Sequence, residues 1–118
     1  MRASRLLLRA VQHSTTDRIC GHRIVRHVGL VQGSTVRTKH IGKDIFAGIK
    51  QIFGGELTAY TELLTEARSE AIARMEVEAE GLGANAVVGV KLVSSSVAPG
   101  ASEILAYGTA VEIVVEAV

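Results

Sequence analysis

The chain has 118 residues, is 47% hydrophobic and carries a formal net charge of +1. That length suits one domain, and the hydrophobic content excludes disorder over most of it. The near-balanced charge gives no general pull towards nucleic acid or acidic membranes.

Residues 1–16 contain Arg2, Arg5 and Arg9 and no acidic residue. The apolar stretch Leu6–Leu8 is cut by Arg9, too short for a secretory segment of about 7–15 apolar residues. The stretch reads as a frayed tail, with an organellar presequence as the competing reading. Residues 1–20 are thus expected to form a flexible or disordered N-terminal extension, and 21–118 the folded domain. Cys20 is the lone cysteine, so no disulfide can close within the chain, and a reducing cytoplasm fits. No apolar run approaches the roughly 20 residues needed to span a bilayer.

Arg23–Val36 is rich in β-branched residues and predicts a strand, bent or split at Gly29 and Gly33. Interior glycines in a strand mark a bulge or a close backbone approach. In Ile41–Phe53, the apolar residues Ile41, Ile45, Phe46, Ile49, Ile52 and Phe53 recur at helical spacing, and Gly54-Gly55 is expected to stop that helix. A longer helix follows from Glu56 to about Leu82. Its stripe Leu57, Tyr60, Leu64, Ala67, Ala71, Met75, Ala79 and Leu82 steps by three or four, with Glu62, Glu66, Glu70, Arg74 and Glu78 opposite. Ala84–Val93 shows no alternation, as expected of a strand covered on both faces. Ser94–Ser102, with the only proline, reads as a loop, and Glu103–Val115 as a strand completing an antiparallel hairpin. With no Trp and only two Phe and two Tyr, the core has to be aliphatic. The predicted fold is α+β: an antiparallel sheet with two helices, one of them long, on one face, in the order β-α-α-β-β. Such a helix is about 40 Å long, more than a small sheet is wide. The sheet's other face also keeps apolar residues, so other subunits are expected to supply cover.

The blocks GLVQGSTV (Gly29–Val36), KDIFAGIKQIFGGELTAYTELLTEAR (Lys43–Arg68), the run from Ala71 to Val90 ending LGANAVVGV, and YGTAVEI (Tyr107–Ile113) together resemble the YbjQ-like family. It is a poorly characterised bacterial family labelled as a heavy-metal-binding domain. The likeness spans roughly His22 to Glu116. It implies a dodecin-like α+β subunit assembling into a ring, typically of five, with no established enzymatic activity.

Among local constellations, Cys20-Gly21-His22 is the metal candidate. Residues two apart on a strand point the same way, so thiolate and imidazole can share an ion, although a tight zinc site needs four ligands, or three and a water. His13, His27 and His40 stand alone. Gly81-x-Gly83 follows a helix and precedes a strand, the reverse of a dinucleotide-binding loop. Gly42-Lys43 is followed by Asp44 and lacks the upstream glycine of a phosphate loop. Glu62, Glu66, Glu70, Glu76, Glu78 and Glu80 read as a solvated helix face; across subunits they would suit calcium or magnesium better than a heavy metal. Ser34, Thr35 and His40 have no acidic partner to complete a nucleophilic site. Arg37, Lys39, His40 and Lys43 read as a solvated loop, with anion binding at the start of the Ile41 helix as the competing reading. The expectation is a non-enzymatic homo-oligomer, a pentamer by resemblance, with a binding or scaffolding role and no nucleic-acid or membrane partner. The alternatives are metal binding at weak inter-subunit sites, with Cys20 and His22 as donors and a metal ion as the one cofactor, and small-ligand binding in pockets between subunits.

Overall fold

A computed structural model describes residues 10–38 and 53–117. In chain order these form β1 (Gln12–His13), β2 (His22–Thr38), α1 (Phe53–Gly81), β3 (Ala86–Ala98) and β4 (Ala101–Val115). The sheet order is β1-β3-β4-β2, with β1 parallel to β3 and the other two pairings antiparallel.

This corrects the predicted architecture. The described residues hold one helix, not two, and a mixed four-stranded sheet in place of an antiparallel one in β-α-α-β-β order. The predicted first helix lies outside the described residues up to Phe53, where α1 begins. Gly54-Gly55 sit inside the start of α1. Each glycine costs about 1 kcal/mol against alanine, which a 29-residue helix with a packed face absorbs. The added strand comes from the stretch expected to be an extension. Gln12 donates its N–H to the Asn85 carbonyl (3.2 Å) and Ser14 to that of Val87 (3.0 Å), which lays β1 along the edge of β3. The expected loop Ser94–Ser102 is also corrected: β3 continues to Ala98, and Pro99-Gly100 alone makes the turn. Proline holds φ near about −65° and Gly100 takes φ +75°, as a type II turn requires. Three serines are weak strand formers, but the register from Val93↔Leu105 to Ser96↔Ser102 carries them.

On α1, Ala67, Ala71, Met75 and Ala79 recur every four residues and are all fully buried. They pack with Val31, Val87, Ile104, Ala106 and Ala110 on one face of the sheet. The approach is closest at Gly33 of β2. A Cβ there would lie 2.4 Å from the Ala71 carbonyl oxygen and 2.5 Å from the Met75 amide nitrogen. Helix and strand backbones are therefore in direct contact, which only a residue without a side chain allows. Thr35, two residues on and on the same face, is buried and donates its hydroxyl to the Ala67 carbonyl (3.0 Å). Gly29 marks a register shift in β2, so the strand is single and bent. The helix ends in a Schellman arrangement: Ala84 N–H donates to the Ala79 carbonyl and Gly83 N–H to that of Glu80, both at 3.0 Å, with Gly83 at φ +86°.

Of the glutamate–arginine ridge expected opposite the sheet, Glu70, Arg74 and Glu78 lie on the flank of α1 beside the outer edge of β2. Gln32 donates its backbone N–H to Glu78 Oε1 (3.0 Å), and Arg74 donates to the Ser34 carbonyl (2.6 Å). Arg37 donates to its neighbour Val36's carbonyl (3.2 Å). Glu70 accepts from Arg37 and from Arg74 (2.6 Å to the latter), holding both guanidiniums in place. Two helix side chains thus occupy backbone groups of Gln32 and Ser34 as a neighbouring strand would, and Arg37 of β2 itself takes the Val36 carbonyl. Partly exposed ion pairs contribute little stability; what this set does is block an edge that would otherwise recruit another strand.

The Gly33 contact predicts that Gly33→Ala destabilises the fold by about 3 kcal/mol, since backbone must move to admit the methyl. The same change at Gly81, where a Cβ meets nothing within 4 Å, should be neutral or stabilising by up to about 1 kcal/mol. Urea denaturation of the two variants checks the opposite signs. The hydrogen bond from Arg37, and then the charge of Arg74, hold the Glu70 carboxyl below its ordinary range against partial desolvation. A group more acidic in the folded than in the unfolded chain contributes stability above its ordinary range and loses it as pH falls through the depressed value. Glu70→Gln should therefore cost stability at neutral pH, with the difference from the native chain closing on acidification. Denaturation across a pH series measures this, and a pH-independent difference contradicts it.

Candidate functional site

Cys20 and His22 do not share a strand. Ile19–His22 is a tight turn closed by a hydrogen bond from His22 N–H to the Ile19 carbonyl (3.1 Å), with Gly21 at φ +76°. β2 starts only at His22. Strand alternation, the basis for expecting thiol and imidazole to point together, does not apply to a residue inside a turn. His22 Nδ1 instead lies 3.0 Å from the Cys20 carbonyl oxygen. A carbonyl only accepts, so this bond places the proton on Nδ1 and leaves Nε2 with the free lone pair. Cys20 is an exposed free thiol.

The two residues line an open surface concavity of about 1020 Å³, together with His13, Asp17, Arg18 and Glu116. The concavity exists because residues 14–21 cross the sheet. Along the β3 edge, Val90 N–H donates to the Ser14 carbonyl and Gly89 N–H to that of Thr16 (2.7 Å). The segment then passes over the face away from α1, where Ile19 and Ile24 pack against Ala86, Val88, Val111 and Ile113. Sequence reasoning missed this crossing; the apolar Ile19 between polar neighbours was the available signal. Among the described residues, no three His, Cys, Asp or Glu side chains come together to hold a metal ion.

The other candidates are dispersed. His13 Nδ1 lies 3.5 Å from Glu76 Oε2, tying β1 to α1. His27 is exposed, opposite Val111 in the sheet. Of the six glutamates, Glu70, Glu76 and Glu78 have protein partners, and Glu62, Glu66 and Glu80 face solvent. Thr35 is buried and Ser34 exposed on alternate faces of β2, so no hydroxyl pair forms. Lys39, His40 and Lys43 lie outside the described residues, and Arg37 is paired with Glu70. No helix among the described residues is long and apolar enough to cross a membrane.

The remaining feature is the rest of the face away from α1. Beyond the reach of residues 14–21 it exposes Leu30 (69%), Val36 (52%) and Val93 (42%), with half-buried Leu105 and Tyr107 on β4 between them. β2 and β3 present these residues on either side of β4 because strand alternation puts every second residue on that face.

A family model described as "Putative heavy-metal-binding", YbjQ, matches residues 11–114. A UPF0145 protein of Hahella chejuensis is 62% identical over 95 residues, which cover 80% of this chain and 91% of that one. Another, from Pseudothermotoga lettingae, is 58% identical over 100 residues, covering 85% and 94%. A crystal structure of a protein of unknown function from Pediococcus pentosaceus aligns with a TM-score of 0.47 at 16% identity, over 88% of this chain and 98% of that one. The heavy-metal description does not fit the donors among the described residues. Soft metals take clustered thiolates or thioethers, whereas Met75 is fully buried in the core and Cys20 stands alone at the surface. By the extent of the match and the identity of its relatives, the chain belongs to the uncharacterised YbjQ-like family, the UPF0145 proteins.

Proposed function

We propose that this protein is a non-enzymatic homo-oligomer with a binding or scaffolding role, its subunits covering one another's open sheet face. The observation that carries the reading is the apolar surface around Leu30, Val36, Val93, Leu105 and Tyr107, opposite the face that α1 covers. Burying each large apolar side chain contributes roughly 1.5–3 kcal/mol, and an exposed group of this kind marks an interaction surface. A ring of five is what the family resemblance implies. The lone thiol suits a cytoplasmic setting, and the near-balanced charge leaves nucleic acid and membranes outside the reading.

Native mass spectrometry should show a species of five subunits of 12.5 kDa, or of ten where two rings join. Leu30→Asp with Val36→Asp should abolish the five-fold species while the chain keeps its helical circular dichroism. A native chain that is a stable monomer at micromolar concentration overturns the reading.

A second reading, weak metal binding between subunits, rests on the exposed Cys20 thiol and the free Nε2 of His22 on one rim. Two donors need others from a neighbouring copy to complete a site. Calorimetry with zinc should then show binding to the assembly, and none to the Leu30→Asp, Val36→Asp subunits or to Cys20→Ser with His22→Ala. Binding that survives both sets of substitutions removes these donors from consideration.

A further inference from the structure

Every sheet edge offers unpaired N–H and C=O groups that fit an extended strand, and a folded chain either guards or uses them. The two edges here are treated differently. The β2 edge is guarded: Glu78, Arg74 and Arg37 bond to Gln32, Ser34 and Val36, and two register shifts bend its first half. The β3 edge is occupied by β1 and residues 14–16 only as far as Val90. From Lys91 to Ser96 the strand pairs with β4 in unbroken register, and no described residue bonds to its other side. Lys91 is the only charge, and there is no proline before the turn. Leu92 (46% exposed) and Val93 flank the open backbone on opposite faces.

We propose that this open stretch of β3 is a pairing seam, and that its occupant is the same stretch of a second copy, antiparallel about a two-fold axis midway between the two Ser95 residues. The sequence Val93-Ser94-Ser95-Ser96-Val97 reads the same in both directions. Antiparallel pairing centred on Ser95 sets Ser94 opposite Ser96 of the second copy and Val93 opposite Val97, which lies at the register shift between Ser96 and Ala98. Apolar then meets apolar and hydroxyl meets hydroxyl, the matches that stabilise cross-strand pairs. A shift of one residue sets valine against serine. No charge falls within the five residues, so the two-fold brings no like charges together. A self-complementary patch is what a two-fold contact requires. The axis stands perpendicular to the sheet, so the two sheets join as one with both helices on the same side. The seam does not use the open face and does not depend on it; a two-fold cannot lie within a five-fold ring, so it would join ring to ring.

The test places a thiol beside the axis. In a Cys20→Ser background, Ser95→Cys should give covalent dimers under mild oxidation, because directly opposed strand residues approach within disulfide reach. Ser94→Cys, equally exposed but facing Ser96, should react at least about tenfold more slowly. Equal rates at the two positions, or no dimer from Ser95→Cys, overturn the proposal. Ser94→Lys with Ser96→Lys sets like charges opposite each other and should halve the native mass; an unchanged mass also overturns it. The seam and the ring fail separately: in the Leu30→Asp, Val36→Asp chain the Ser95→Cys dimer should still form.

Discussion

Much of this molecule depends on one contact, the seating of the α1 backbone directly on β2 at Gly33. An ordinary helix rides on its side chains about 10 Å from a sheet. Here alanines line the helix and a glycine lies beneath it. The close seating brings the helix flank level with the edge of β2, so Arg74 and Glu78 reach backbone groups of Ser34 and Gln32. A helix held further out would leave that edge open. The small-residue stripe therefore does more than fill a core; it sets which edge of the sheet is closed.

Closure elsewhere is incomplete in a definite pattern. Residues 14–21 seal the far face over Val111 and Ile113 and occupy β3 up to Val90. Beyond that point no described residue bonds to the β3 edge, and the face exposes Val93, towards the Pro99-Gly100 turn. The long hairpin extends past what the N-terminal segment covers. It retains apolar residues there, among them Val93 and Val97, which are costly to leave in water. Among the described residues one sheet edge is guarded by charged side chains and the far stretch of the other has no partner.

The sequence made the helix stripe legible because Ala67, Ala71, Met75 and Ala79 repeat at one period on one face. It left Gly29 and Gly33 with two readings, bulge or close approach, and each position took one of them, a distinction that depends on where the helix lies. The hairpin was legible, but its turn was placed too broadly: serines read as loop until β4 supplies a pairing register, after which two residues suffice. The β1 strand was hidden because two residues carry no periodicity, and their pairing depends on a distant β3. Family membership was readable from blocks such as LGANAVVGV and YGTAVEI. The strand-alternation argument for the metal pair does not hold, for a local reason: Gly21 turns the chain between Cys20 and His22, so the spacing of two that counts on a strand loses its meaning.

That turn also orders the two functional readings. One subunit offers a thiol and a single imidazole nitrogen on the concavity's rim, where four donors, or three and a water, make a tight site. Whatever metal these residues hold has to draw on a second copy, so metal binding through them presupposes assembly. The linkage runs in both directions. An ion bound only by the assembled form stabilises that form by mass action, in proportion to the logarithm of its concentration over its dissociation constant. On the proposed reading metal and assembly are one equilibrium seen from two sides, and the apolar face is the part of it that needs no ion.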